Sequence, residues 1–235
     1  DSAKLTFLLN PTGLKGAKGE GALEKIRRQG QTTVFIYGFG DMDTAQMQRL
    51  TGMTLARCEA PAGTKLPVQM VFCGSWDGCK NVSAGREVDV NPLFYVQGDY
   101  TEAFAQYTIG EAAGKIGFAM KRQDGYQTIF FGGFELDRDL LLRIARLAGV
   151  REYGYFGDYI LPGPQMMITH TTEPGEKTVH FPRVCDVYDY YENRWYEQVD
   201  RITKTLDKGK TFLYIYGSRR EIEGWNLPVW PGDPI

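Results

Sequence analysis

The feature that most constrains this chain is a change of hydrophobic period between Gly149 and Tyr153. Before it, apolar strand-like runs alternate with helical patterns; after it, apolar and polar residues alternate with period 2. Two such textures call for two cores. The first, over residues 1–151, reads as an α/β domain with a mainly parallel sheet and flanking helices. The second, over 152–217, reads as a small antiparallel β-sandwich, and an extended tail over 218–235 follows it. A chain of 235 residues has room for both domains.

Within the first part, Leu5 to Leu9 is a short apolar run closed by Asn10-Pro11 and predicts a buried first strand. Gly21 to Gln29 predicts a helix stopped by Gly30, and Thr32 to Tyr37 a central strand opening into Gly38-Phe39-Gly40-Asp41. Asp43 or Thr44 can cap a helix that runs to Thr51-Gly52. Residues 54–100 carry a weaker pattern, with a strand at Val68 to Phe72, a turn from Cys73 to Cys79 and an extended stretch broken at Pro92. Strands at Phe104 to Thr108, Lys115 to Arg122 and Tyr126 to Phe131 follow, the last two joined by a turn at Gln123-Asp124-Gly125. A helix over Arg138 to Ala148 closes the domain.

In the second part, Gln165 to His170 and Lys177 to Phe181 predict a hairpin through Thr172-Glu173-Pro174-Gly175. Val184 to Asp189, Ile202 to Leu206 and Thr211 to Ile215 supply further strands.

Charge and hydropathy exclude some functions. With 27 basic and 29 acidic side chains, no basic field is available to neutralise a run of phosphates, so nucleic acid is not an expected partner. Apolar runs such as Thr128 to Phe134 are far shorter than the ~20 residues that cross a bilayer. The chain starts at Asp1 with no initiator Met and no signal pattern, which leaves a removed signal peptide or, as the favoured expectation, excision from a longer protein.

Candidate chemistry is sparse. His170 and His180, the two histidines, are expected to face each other across the hairpin as a plain cross-strand pair with no nucleophile beside them. Cys73 follows a strand and precedes a glycine, but the polar, Gly-rich sequence after it lacks the helix that a nucleophile elbow requires. A structural thiol, or a disulfide between Cys73 and Cys79, fits better. Gly38 and Gly40 lack the third glycine of a dinucleotide loop, since position 43 is Asp43. A ligand loop at the carboxyl ends of the strands would comprise Gly38, Gly40, Asp41, Asp43 and Trp76. No Cys and His cluster has zinc spacing, no pattern demands a cofactor, and Asn81-Val82-Ser83 fits a glycosylation acceptor. Tyr188, Tyr190, Tyr191, Trp195 and Tyr196 form an aromatic concentration suited to an interface or to stacking on sugar.

Several segments carry a family resemblance: Lys4 to Asn10, Gly30 to Tyr37 with Gly40, Leu50-Thr51-Gly52-Met53, Gly114-Lys115 to Phe118, Thr128 to Phe134 and Leu140 to Val150. Together they resemble the trimerisation domain that follows the catalytic barrel in family-42 β-galactosidase-like glycoside hydrolases. Gly175 to Thr178, Cys185 to Asp189 and Lys208 to Tyr214 are similar to the C-terminal β-sandwich of such proteins. The resemblance implies a flavodoxin-like fold of the class I glutamine amidotransferase type without its triad, and catalytic carboxylates on a barrel outside this chain. It further implies subunit association, with homo-oligomers and the missing catalytic domain as partners, carbohydrate as the substance acted on, and a periplasmic or extracellular setting, a cytoplasmic one staying open. The alternative is a free-standing sugar-binding protein or a degenerate amidotransferase-like hydrolase using the strand-end loop. The tail from Ser218 matches nothing in the family.

Overall fold

The computed structural model describes residues 3–14, 16–40, 42–76, 90–154 and 157–232. The chain divides into two compact units, Asp1–Val150 and Arg151–Ile235.

The first unit is built on an eight-stranded mixed sheet. Its strands are β1 Leu5–Leu9, β2 Thr32–Ile36, β3 Thr54–Cys58, β4 Met70–Phe72, β5 Leu93–Gly98, β6 Glu102–Tyr107, β7 Ile116–Gln123 and β8 Tyr126–Phe131. The order is β1-β2-β8-β7-β5-β3, with β6 also pairing β7 and carrying β4. Among the described residues only β1 with β2 and β2 with β8 are parallel, so the expected mainly parallel sheet is corrected to a mixed one. Connection length supplies the reason. A parallel neighbour needs a crossover of a dozen or more residues, whereas the short connections from β6 to β7 and, through Asp124-Gly125, from β7 to β8 send the chain straight back.

Helices α1 Gly16–Ile26 and α2 Thr44–Thr51 cover one face, and α3 Arg138–Leu147 the other. The pleat divides the strand residues between them. Val34, Ile36, Phe118, Ile129 and Phe131 pack with Leu140 and Ile144 of α3, while Phe35, Ala119 and Phe130 meet Leu23, Ile26, Met47 and Leu50. β2 is buried throughout, as a strand covered on both faces must be. β1 differs from its expected burial, because it sits at the sheet edge with Leu9 65% exposed. α1 starts at Gly16 rather than Gly21, so its glycines lie inside the helix. α2 is fixed at both ends: Asp43 accepts from Gln46 N at 2.8 Å, Gln46 Oε1 accepts from Asp43 N at 3.2 Å, and Gly52 ends the helix at φ 73°.

The second unit is one five-stranded antiparallel sheet, with β9 Tyr159–Pro162, β10 Met166–His170, β11 Gly175–Asp189, β12 Arg194–Leu206 and β13 Thr211–Gly217. Its order, β12-β11-β13-β10-β9, corrects the expected two-sheet sandwich. The expected hairpin is also corrected: β10 pairs β9 and β13, not β11. The Lys177 to Phe181 and Val184 to Asp189 runs belong to one strand, bulged between His180 and Val187. Such bulges bend the strand, and its two halves, with β10, β12 and β13, enclose one apolar cluster that includes Met167, Val179, Val187, Ile202 and Phe212. The tail is not wholly extended. Ser218 caps α4 Arg219–Gly224 through a capping box with Glu221.

Candidate functional site

The strand-end loop of the first unit is packed rather than open. A Cβ on Gly38 would lie 2.8 Å from Phe94 Cε2, and one on Gly40 would collide with Thr12 Cγ2. Gly40 also adopts φ +56°, which favours glycine, and its N–H donates to Asn10 Oδ1 at 3.0 Å. Asp43 is engaged as the α2 cap. Trp76 is buried against Phe104 and Phe118, with ring centroids 4.5 and 5.2 Å away, so it belongs to the core and not to a ligand loop. Asp41, Cys79 and Asn81-Val82-Ser83 lie outside the described residues, and Cys73 stands half-buried after β4.

The histidines do not face each other. His170 pairs with Thr211 on β13, its Nδ1 2.8 Å from Thr211 Oγ1, and His180 stands opposite Arg201 on β12. β13 takes the place beside β10 that the local hairpin pattern had assigned to the Lys177 strand. Among the described residues, no group of three His, Cys, Asp or Glu side chains could hold a metal ion. Cys58, buried, lies 3.2 Å from Lys115 Nζ, and this hydrogen bond leads the causes that raise the Lys115 pKa.

The aromatic concentration of the second unit does form a contiguous feature. Tyr188 and Trp195 are direct cross-strand partners with centroids 5.0 Å apart, and both Trp195 and Tyr196 lie on β12. The Arg219 guanidinium lies 4.9 Å from the Trp195 centroid and pairs with Glu197 and Glu223. Trp230 of the tail packs on Tyr191 at 4.9 Å and on Tyr190 at 6.1 Å, so the chain's own tail covers part of the patch. Asp186 holds the neighbouring backbone: bonds from Gln198 and from Arg219 N keep its carboxyl below the usual range. Tyr188, Trp195 and Arg219 thus offer a half-buried stacking face.

A third feature was missed in the sequence. Between β1 and α1 lies a groove of about 540 Å³ with Thr6, Leu8, Ala22 and Ile26 among its lining and Lys18, Lys25 and Arg28 at its border. Lys18 and Lys25 are seven positions apart, two helical turns, so they share one face of α1. Starting the helix at Gly21 hid that periodicity.

No protein-family model matches the chain, and no curated protein matches it. Solved structures do. The chain is similar to the β-galactosidase of Bacillus circulans sp. alkalophilus, at 12% identity and TM-score 0.57, over 91% of this chain and 33% of that one. It is similar to a GH42 β-galactosidase from G. stearothermophilus at 14% identity and TM-score 0.55, over 92% and 32% of the two chains. For the β-galactosidase of the haloarchaeon Halorubrum lacusprofundi the values are 14%, TM-score 0.50, and 92% and 31%. At these identities the likeness is one of fold, and the chain, spanning about a third of each enzyme's length, has the fold of a part of a β-galactosidase.

Proposed function

We propose that this chain is an association and scaffolding module of a larger glycoside hydrolase-like protein, and that the bond-breaking carboxylates belong to another domain. One observation carries the reading: nearly the whole chain, both units included, follows a third of enzymes that are β-galactosidases. The site geometry supports it. Glycosidic hydrolysis generally uses a facing pair of carboxyl groups on a cleft; Asp43, Asp137 and Asp186 are each engaged in holding backbone N–H groups, and the neighbouring pair Asp189 and Glu192 is tied to the Lys204 ammonium. The same reading makes the chain an oligomer whose contacts each bury about 1,000 Å² or more.

Sedimentation velocity, with a chromogenic β-galactoside assay on the same sample, tests this. Oligomers without hydrolysis are expected; a strict monomer, or turnover by the chain alone, overturns it. Carbohydrate binding is a second reading, favoured by the Tyr188, Trp195 and Arg219 face. Titration with galacto-oligosaccharides, read by Trp fluorescence, should then respond in wild type and not in Trp195→Ala.

A further inference from the structure

We propose that the open edge of β1 is a docking site for an extended segment of another polypeptide in which acidic and apolar residues alternate. Three independent observations meet there.

The first is the ladder. β1 pairs with β2, and no other strand among the described residues pairs with it. Lys4 O accepts from Thr32 N at 2.8 Å, and Asn10 N donates to Ile36 O at 3.0 Å. Backbone groups alternate in direction along a strand, so those of Thr6 and Leu8 turn toward β2 and those of Leu5, Phe7 and Leu9 point outward. The second is the sequence of that edge. Leu5-Thr6-Phe7-Leu8-Leu9 has no charge, proline or bulge, the devices by which exposed edges are otherwise blunted.

The third is that the two faces beside the edge differ chemically. On one, Phe7 is 39% and Leu9 65% exposed. On the other, Thr6 and Leu8 line the groove that Lys18, Lys25 and Arg28 border, and these cations have no ion-pair partner among the described residues. A strand laid along β1 sends alternate side chains to the two faces. Apolar residues would cover Phe7 and Leu9, and acidic residues would reach the three cations. A second copy of this chain fits less well, since edge-to-edge pairing of two β1 strands about a two-fold axis normal to the sheet brings both sets of cations to the same side.

This inference does not depend on the association role proposed above. The test uses the full chain and a short synthetic peptide alternating valine with glutamate, beside a control with lysine for glutamate. Fluorescence anisotropy should show saturable binding of the glutamate peptide, at least about tenfold tighter than the control. Amide exchange should slow at Phe7 and Leu9 on binding. Phe7→Pro removes an outward N–H while sparing the β2 ladder and should abolish binding. Because that variant can also weaken packing, the exposed pair Lys25→Glu with Arg28→Glu provides a second test and should reverse the peptide preference. Equal binding of both peptides, no binding, or binding without exchange protection at β1 overturns the proposal. So does occupation of the edge by a second copy, seen as protection of Phe7 and Leu9 that rises with protein concentration alone.

Discussion

The two units close their cores in different ways. The first places helices on both faces of its sheet, and its buried polar residues among those described, Gln31, Thr32, Thr33, Thr51 and Thr128, are all neutral. Among the described residues, the second has one short helix and one apolar cluster, and it buries charge. Lys177 meets Asp158 at 3.2 Å with both side chains about 5% exposed, and Lys204 meets Asp189 at 2.7 Å and Glu192 at 2.8 Å. Lys204 also lies 4.5 Å from the Phe212 ring centroid. A smaller unit buries a smaller share of its surface, so strand ends and loops in the second are tied by ion pairs where the first uses helices. The first unit should therefore fail through packing and the second through orphaned charge.

The largest expected effect tests that contrast directly. Lys204→Met leaves Asp189 buried without its main partner and should cost about 3–5 kcal/mol. Amide exchange should show the loss in the second unit and leave the first unchanged. Adding Asp189→Leu should recover most of it, since a buried pair replaced by apolar residues is often neutral; a double variant as unstable as the single one would break the comparison.

Alkaline pH should separate the units next. Burial opposes the Lys204 charge, but hydrogen bonds to Asp189 and Glu192 outweigh it and hold its pKa above 10.5. Burial raises the Tyr214 hydroxyl beyond its usual 10.0. Both folded values exceed the unfolded ones, so the native state keeps protons that the unfolded chain releases. The stability they confer is complete below pH 10 and falls as pH rises through the folded values. Tyr107 does the same in the first unit, where burial raises its pKa. With Lys204 and Tyr214 in one cluster, protection in the second unit should fall more steeply between pH 10 and 11.

A smaller effect bears on the strand-end loop. Gly40→Ala strains a positive φ and presses on Thr12, and should cost about 1–3 kcal/mol in thermal unfolding. A neutral result would mean that the loop has room for a ligand. The smallest effects are at the caps: Asp43→Ala and Ser218→Ala should each cost about 0.5–2 kcal/mol. Exchange should locate the first loss in α2, a core element, and the second at α4 alone.

Much of the first unit was legible because its signals are local. β2 as a fully buried strand, the Asp43 and Gly52 ends of α2, and the Asp124-Gly125 turn all follow from a few adjacent residues. β3 was missed because Thr54 to Cys58 alternates weakly and carries a charged Arg57. The strand-end site was misread at Trp76, where a polar, Gly-rich context suggested a loop and the rings of Phe104 and Phe118 instead took the indole into the core. The aromatic cluster was legible as a cluster. Its partial cover by Trp230 was not, since no period in the tail announces that contact.

What the sequence determined by itself is the division near Val150, most strand positions and the two caps of α2, because hydrophobic period and capping residues act over a few positions. Beyond the β7–β8 hairpin, only the tertiary structure decided which strands are neighbours. β10 could have paired with the next strand in sequence, yet it lies beside β13, and His170 therefore meets Thr211 and not His180. A strand offers the same backbone groups to any partner, and what selects among partners is the burial of distant side chains in one cluster, where Met167, Val179 and Phe212 come together.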